Sequence, residues 1–170
     1  MLRTLVLVLL VALTSCASTR PAAPLRTVPL TPAESEQVDS LLANLYLSFS
    51  HSAGEEPDWE LMRSVFVDGA QFVTDPPDGE APSPQTVDAL IASWKDSIRK
   101  STSPTLATAE TITATRVTKL GQLIRVDVVF QAKKENDPSP RKPGLDSLVL
   151  ANVGGDWRVL SFVVQYESKL

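Results

Sequence analysis

Cysteine and histidine are almost absent from this chain of 170 residues, which has one of each, Cys16 and His51. A single cysteine cannot form an internal disulfide, so the fold depends on its hydrophobic core. One histidine also argues against a zinc site, which takes three or four ligands. The chain has no Ser-His-Asp set, no glycine-rich phosphate loop and no paired-carboxylate motif. We therefore expect no metal, no cofactor and no catalytic residue that a motif would identify.

Positive charge is scarce as well. The chain has 16 Lys and Arg against 20 Asp and Glu, a net charge of −4. The densest basic spots, Lys133-Lys134 and Arg141-Lys142, lie among acidic residues, which favours a solvated loop. A nucleic-acid-binding protein would have a basic stripe, so we expect no nucleic-acid partner.

Long apolar runs are missing too. The N-terminal run, Leu5 to Leu13, has nine residues, whereas a spanning helix needs about 20. It follows the basic Arg3 and precedes small residues, the layout of a secretory signal peptide. Its end, Leu13-Thr14-Ser15-Cys16, resembles the lipobox of bacterial lipoproteins, in which the cysteine is diacylglycerated and the signal is cut just before it. The resemblance implies a signal peptide at residues 1–15 and lipidation of Cys16. The alternative is an ordinary signal peptide with an incidental cysteine.

The residues that follow predict an envelope location. Several acyl chains on Cys16 would hold the protein at a bilayer, since one chain binds only marginally. Ala17 rather than Asp follows the cysteine. In lipoproteins this favours the periplasmic face of the outer membrane, if the source is Gram-negative. Residues 16–30 contain Pro21, Pro24 and Pro29, which predicts a flexible tether. Residues 31–170 then form one domain of ordinary size.

Local patterns predict helices first and strands later. Thr31-Pro32-Ala33-Glu34 is a capping box that starts a first helix, which runs to about Ser50. A short helix from Asp58, a short strand at 71–74 and a helix at 83–98 follow. Period-two alternation after Pro104 predicts four strands, at 106–118, 123–134, 145–153 and 157–167. We predict an α+β fold in which three N-terminal helices pack on a curved antiparallel sheet.

Four of these segments resemble the nuclear transport factor 2-like (NTF2-like) superfamily, which includes the SnoaL-like proteins. They are the helix at 38–49, the segment 59–73, the helix at 83–98 and the final turn and strand at 155–159. The resemblance implies a cone-shaped, cystatin-like or SnoaL-like roll whose mouth holds a small hydrophobic ligand. Enzymes of the superfamily place an Asp or His base and a Tyr or acid donor inside the cone, where apolar walls shift the pKa of the acid.

Few polar residues fall on positions that would face into such a cone. Tyr166, Asn152 and Arg116 point inward if the predicted strand registers are right, and Trp94 is a candidate ligand wall. These four are the candidate ligand-binding residues. Tyr166 and Trp94 also fit as ordinary core aromatics.

Other polar residues have plainer interpretations. Tyr46 lies near the apolar stripe of the first helix. Asp127 and Asp146 are expected to be exposed charges on strands, and His51 is expected to lie in solvent at the end of a helix.

Two functions remain open. The first is a non-catalytic, membrane-anchored binding or scaffolding module in the cell envelope, with a partner protein, a lipid or a small apolar ligand. The second is a SnoaL-like cyclase or isomerase-type enzyme with a small hydrophobic substrate in the cone. A carboxylate or imidazole that contacts Tyr166 in an enclosed cavity would favour the enzyme. A cone filled with side chains would leave a structural, partner-binding subunit.

Overall fold

The structure is a computed structural model and describes residues 28–74, 81–100, 108–134 and 143–166. The predicted signal peptide, Cys16 and most of the predicted tether lie outside these ranges. The helices are α1 (Pro32–Phe49), α2 (Trp59–Val65) and α3 (Val87–Lys100). The strands are β1 (Phe66–Thr74), β2 (Gln85–Thr86), β3 (Thr108–Leu120), β4 (Leu123–Lys134), β5 (Gly144–Val153) and β6 (Asp156–Tyr166).

The predicted capping box at the start of α1 is confirmed. The Thr31 hydroxyl accepts a hydrogen bond from the Glu34 backbone N–H at 3.2 Å, and the Thr31 N–H donates to the Glu34 carboxylate at 2.9 Å. These bonds satisfy backbone groups that the first turn of a helix leaves unpaired. Glu34 also forms an ion pair with Lys119 of β3 at 2.5 Å. The start of α1 is therefore joined to the sheet.

One face of the sheet and the apolar sides of the helices form the core. The alternating residues of β4 are fully buried on that face, and the apolar stripe of α1 packs against the same cluster. The core residues of these two elements are Val38, Leu41, Leu42, Leu45, Tyr46, Phe49, Ile124, Val126, Val128 and Phe130. In the described ranges, no helix combines the length and the hydrophobicity needed to cross a bilayer.

The prediction that three N-terminal helices pack on an antiparallel sheet is wrong. The sheet has six strands in the order β2-β1-β6-β5-β4-β3, and β1 runs parallel to β6, so the sheet is mixed. Strand residues outnumber helical ones, and α3 follows β1 and β2 instead of completing an N-terminal block of helices. The fold is α+β with this different arrangement.

The error arises at β1. The sequence pattern places only residues 71–74 in a strand, but β1 already begins at Phe66. Gly69 has φ +76°, a left-handed conformation that glycine adopts without strain. The register with β6 shifts between Phe66 and Gln71, so the strand continues through this irregularity. Parallel pairing with a strand about 90 residues away, such as Phe72 with Phe162, has no local signature in the sequence.

Both ends of β3, one of the two edge strands of the sheet, pair with residues that flank α1. His51 exchanges two backbone hydrogen bonds with Thr108, at 2.9 and 3.0 Å. At the other end, the Val28 N–H donates to the Lys119 carbonyl at 3.2 Å. These contacts hold β3 against α1, and the first of them positions the site described next.

Candidate functional site

A buried carboxyl group lies between α1 and β5. Asp146 is 1% exposed and the Tyr46 side chain is 4% exposed. The Tyr46 hydroxyl donates a hydrogen bond to Asp146 Oδ2. Asp146 Oδ1 is buried and has no hydrogen-bond partner among the described residues. An unpaired buried acceptor costs about 1–3 kcal/mol, so this oxygen calls for an explanation.

A second carboxyl group, that of Glu110 on β3, faces the same space. The end of α1 positions it through Ser50, whose hydroxyl donates to the Tyr46 carbonyl at 2.9 Å and accepts from the Glu110 backbone N–H at 3.2 Å. The adjacent His51–Thr108 bridge holds the same part of β3. Two acidic side chains from distant strands are thereby brought together at the end of one helix.

Asp146 and Glu110 line a cavity of about 40 Å³, which we call the Asp146 cavity. Its other lining residues are Thr74, Val164 and the aromatic side chains of Phe49, Phe72, Trp94, Phe130 and Phe162. A buried water takes about 10–15 Å³ by this measure, so there is room for about three waters or three heavy atoms of a ligand. Tyr46 contacts Asp146 but does not line the cavity.

The aromatic wall is itself closely packed. Phe72 stacks on Phe162 with ring centroids 4.7 Å apart, and Phe49 contacts Trp94 and Phe162, each at 6.0 Å. Gly144 allows the ring of Phe130 to lie where it does. A Cβ at Gly144 would lie 2.3 Å from Phe130 Cε1, which no real side chain tolerates. The absence of a side chain at residue 144 therefore helps to shape the wall.

The apolar surroundings change the acidity of all three polar groups. Burial raises the pKa of Asp146 to about 8, an effect that the Tyr46 hydrogen bond opposes and the Glu110 charge adds to. Burial raises the pKa of Glu110 to about 7. Burial and, secondarily, the charge of Asp146 raise the pKa of Tyr46. The two carboxyl groups can therefore exchange protons near neutral pH, which ordinary carboxyl groups cannot.

Of the four predicted ligand-binding residues, the three whose side chains the structure describes do not come together. Trp94 is half-buried and lines the Asp146 cavity. Arg116 on β3 and Asn152 on β5 are exposed and line no part of that cavity. The Asn152 side chain instead accepts from the Gly155 N–H at 3.1 Å and closes the β5–β6 turn. The side chain of Tyr166 lies outside the part of the chain that the structure describes.

The prediction that Asp146 is an exposed charge is wrong. Its neighbours at two-residue intervals on β5, Leu148 and Leu150, are both fully buried, and strand alternation places Asp146 on their face. Glu110 alternates in the same way with Ile112, which packs against the core. This alternation is visible in the sequence and could have found both acids. Strand alternation could not predict the contact of Tyr46 with Asp146, because 100 residues separate them.

A larger groove of about 500 Å³ lies between α1, α2 and the start of β6. Its lining includes the exposed side chains of Glu36, Gln37 and Ser40, and it is open to solvent. No buried unpaired polar atom faces it among the described residues. In the same ranges, no group of three or more His, Cys, Asp or Glu residues could hold a metal ion. The Asp146 cavity is therefore the better candidate site.

No family model matches the sequence, and no curated protein matches it. Solved structures do match the fold. A protein of unknown function with a cystatin-like fold from Nostoc punctiforme has a TM-score of 0.63 at 9% identity, over 84% of this chain and 98% of its own. An NTF2-like protein of unknown function from Pseudomonas putida has a TM-score of 0.64 at 12% identity, over 81% of this chain and 89% of its own.

The domain has an NTF2-like fold. A third similar structure, of a Catenulispora acidiphila protein in complex with S-DNPA, has a TM-score of 0.62 at 12% identity, over 82% of this chain and 97% of its own. Identities this low establish the NTF2-like fold and carry no information about activity.

Proposed function

We propose that this protein is a lipid-anchored protein of the cell envelope whose NTF2-like domain binds a small ligand in the Asp146 cavity. The observation that carries the ligand site is the carboxyl group of Asp146, which lines a partly open cavity and whose Oδ1 is a buried acceptor without a partner among the described residues. Such an atom is costly in the free protein, and a ligand that donates a hydrogen bond to it would remove that cost.

The size of the cavity limits what it can take. Sites for drug-sized ligands have volumes of about 300–1,000 Å³, and this cavity has about 40 Å³. It therefore fits a very small molecule, or one end group of a larger molecule whose remainder stays outside. The S-DNPA complex of the Catenulispora acidiphila protein is a precedent for a small molecule bound by a protein of this fold. The cavity also favours ligand binding over a filled, purely structural cone.

A second candidate function is acid–base catalysis on a small hydrophobic substrate. The observation in its favour is that two carboxyl groups with pKa values of about 7 and about 8 line one apolar cavity. Such groups can donate and accept protons near neutral pH. Binding without turnover remains our first choice, because the Tyr46 hydroxyl already donates to Asp146 and does not line the cavity.

The proposed anchor is supported by the sequence alone. Cys16 ends a lipobox-like segment, and Ala17 favours the outer membrane in a Gram-negative source. The test is Cys16→Ser, which should release the protein from membranes or leave an uncleaved precursor. If the variant is processed and fractionates with membranes as before, the anchor is excluded.

The other role considered for the domain is binding of an envelope protein. Crosslinking in the protein's own cells would identify such a partner.

The ligand site is tested by an NMR screen of fragments with three to eight heavy atoms against the purified protein. Fragments that bind should shift the indole signal of Trp94, which lines the cavity. The signal of Trp157, which lines the large groove, should stay unchanged. If no fragment of any charge shifts Trp94 selectively, the cavity is not a ligand site.

Catalysis is tested with butanone in D₂O. Deuterium incorporation that Asp146→Asn abolishes would establish proton transfer.

A further inference from the structure

We propose that the Asp146 cavity recognises an organic ammonium group, either a small primary amine or the amine end of a larger molecule. This inference rests on the proposed function, because it assumes that the cavity is a ligand site. It adds the chemical class of the ligand, which follows from the charges, hydrogen-bonding groups and aromatic rings that line the cavity.

Among the described residues, no cation pairs with the two carboxyl groups of the cavity. The described ion pairs, such as Lys119 with Glu34 and Arg63 with Asp88, all lie elsewhere. No Lys, Arg or His is among the lining residues. A buried carboxyl group without a positive partner stays protonated to a higher pH, because desolvation disfavours the carboxylate, and a nearby cation allows it to ionise. A cationic ligand would supply this partner.

The carboxyl groups of the site act as hydrogen-bond acceptors. The Tyr46 hydroxyl donates to Asp146 Oδ2, so the carboxyl group already acts as an acceptor there, and Oδ1 is left over. Glu110 contributes further acceptor oxygens. An ammonium group has three N–H donors and no acceptor, which complements a cavity of this kind. When the two carboxyl groups are ionised, a carbonyl or carboxylate ligand would instead place acceptor against acceptor.

The walls of the cavity also suit a cation. Five aromatic residues line it, namely Phe49, Phe72, Trp94, Phe130 and Phe162. Aromatic rings attract organic cations through the negative charge of the ring face, and groups of them bind alkylammonium ligands in other proteins. The available volume of about 40 Å³ matches the three heavy atoms of ethylammonium. Larger amines would insert only their ammonium end.

A cationic ligand should bind with release of protons. Burial raises the pKa of Asp146 to about 8 and that of Glu110 to about 7, and a bound cation favours the ionised form of both. The remaining titratable group that faces them is Tyr46 of α1, whose pKa is raised. The lining residues contributed by β1, β4, β6 and α3 have no titratable side chain. The affinity for an amine should therefore increase as the pH rises.

The experiment titrates the protein, purified from expressing cells, with three probes of similar size: ethylammonium, ethanol and acetate. The Trp94 indole signal reports the cavity, and the Trp157 signal is the internal control. Ethylammonium should bind with a millimolar Kd, because three heavy atoms limit the affinity, and at least about tenfold more tightly than ethanol. The affinity for ethylammonium should increase by about tenfold or more between pH 6 and pH 9. Ethylammonium stays protonated in this range, because an alkylammonium group such as that of lysine has a pKa of about 10.4.

Two conservative variants assign the effect to the carboxyl groups. Asp146→Asn and Glu110→Gln keep the shape of the side chains, and each should weaken ethylammonium binding by about tenfold while ethanol binding stays unchanged. Asp127→Asn is the matched control, because Asp127 lies on the opposite face of the neighbouring strand and bonds to Arg125. It should bind ethylammonium like the original protein.

The outcomes separate this inference from the proposed function. If ethanol or acetate shifts the Trp94 signal as strongly as ethylammonium, the cavity is a ligand site but the ammonium inference is overturned. If none of the three probes shifts it and the fragment screen also fails, both are overturned. Tighter binding of ethylammonium that does not depend on Asp146 or Glu110 also contradicts the inference.

Discussion

Two aspartates on neighbouring strands, Asp127 of β4 and Asp146 of β5, have opposite environments. Asp127 lies on the face of the sheet away from the helices, where it accepts hydrogen bonds from Arg125 at 3.0 and 3.1 Å and from Ser147 at 2.9 Å. Asp146 lies on the core face with Tyr46 as its hydrogen-bond partner and with one oxygen unpaired. Arg125 compensates the charge of Asp127, whereas no cation among the described residues pairs with Asp146. A carboxyl group that a fold buries without compensation points to a ligand.

The largest effect is expected from Asp146→Asn. The folded pKa of Asp146, about 8, is above its ordinary value of 3.8, so the folded state binds more protons than the unfolded state between these values. Stability contributed by this group is therefore full at low pH and is lost as the pH rises through about 8. Asp146→Asn removes this loss and should be more stable than the original protein, by on the order of 5 kcal/mol at pH 9.

The measurement is urea unfolding of both proteins at pH 5, 7 and 9. The difference between them should grow with pH and level off above pH 8. Asp127→Asn is the control, and its free energy of unfolding should change by less than about 1 kcal/mol. Equal pH profiles for Asp146→Asn and the original protein would show that Asp146 is ionised and compensated.

The next largest effect is expected from Gly144→Ala, which places a methyl group against the ring of Phe130. The ring must move, and overpacking of this kind costs about 1–3 kcal/mol. The variant should unfold at lower urea concentration and lose the binding of small ligands, because Phe130 lines the Asp146 cavity. Ser147→Ala changes the opposite face of β5 and should leave ligand binding as it was. Unchanged stability in Gly144→Ala would mean that the wall is more adaptable than we infer.

Tyr46→Phe should have a somewhat smaller effect and lower the free energy of unfolding by about 1–2 kcal/mol, because it removes one buried hydrogen bond and leaves Asp146 Oδ2 unpaired as well. It should also raise the pKa of Asp146 above about 8, since the Tyr46 hydrogen bond lowers that pKa. The titration of the Asp146 carboxyl carbon by ¹³C NMR measures this change, and the Asp127 carboxyl signal in the same spectra is the reference. A lower pKa of Asp146 in Tyr46→Phe would contradict the assigned hydrogen bond.

The smallest effect is expected from Arg125→Gln. Arg125 is 58% exposed, and exposed ion pairs contribute about 0–1 kcal/mol. Thermal unfolding should show almost no change, and ethylammonium binding should be unaffected. A large loss of stability would indicate that the outer face of the sheet depends on its ion pair, and the contrast between the two aspartates would then be weaker.

Much of the local structure was predictable from the sequence. The capping box at Thr31 and Glu34 marks the start of α1, and period-two alternation marks β3 to β6. Both signals depend on residues close in the chain, where helix and strand geometry repeat regularly. The parallel pairing of β1 with β6 and the extension of β1 to Phe66 were missed, because they depend on a glycine irregularity and on a partner about 90 residues away.

The candidate site was only partly predictable. The alternation of Asp146 with Leu148 and Leu150 shows in the sequence that this acid shares the buried face of β5. Trp94, which the sequence predicts as a candidate ligand wall, lines the cavity. The sequence holds no sign that Glu110 faces Asp146 or that Tyr46 bonds to it, because these contacts depend on how three separate elements pack.

By itself, the sequence determined the positions of the helices and most strands, the scarcity of metal ligands and the lipobox-like segment that ends at Cys16. These properties are local, since each depends on residue types within a few positions of one another. The tertiary structure decided that the sheet is mixed and that two acids and a tyrosine meet beside an aromatic wall. Burial is a property of the packed chain, and burial is what turns Asp146 from an ordinary carboxylate into a candidate ligand-binding group.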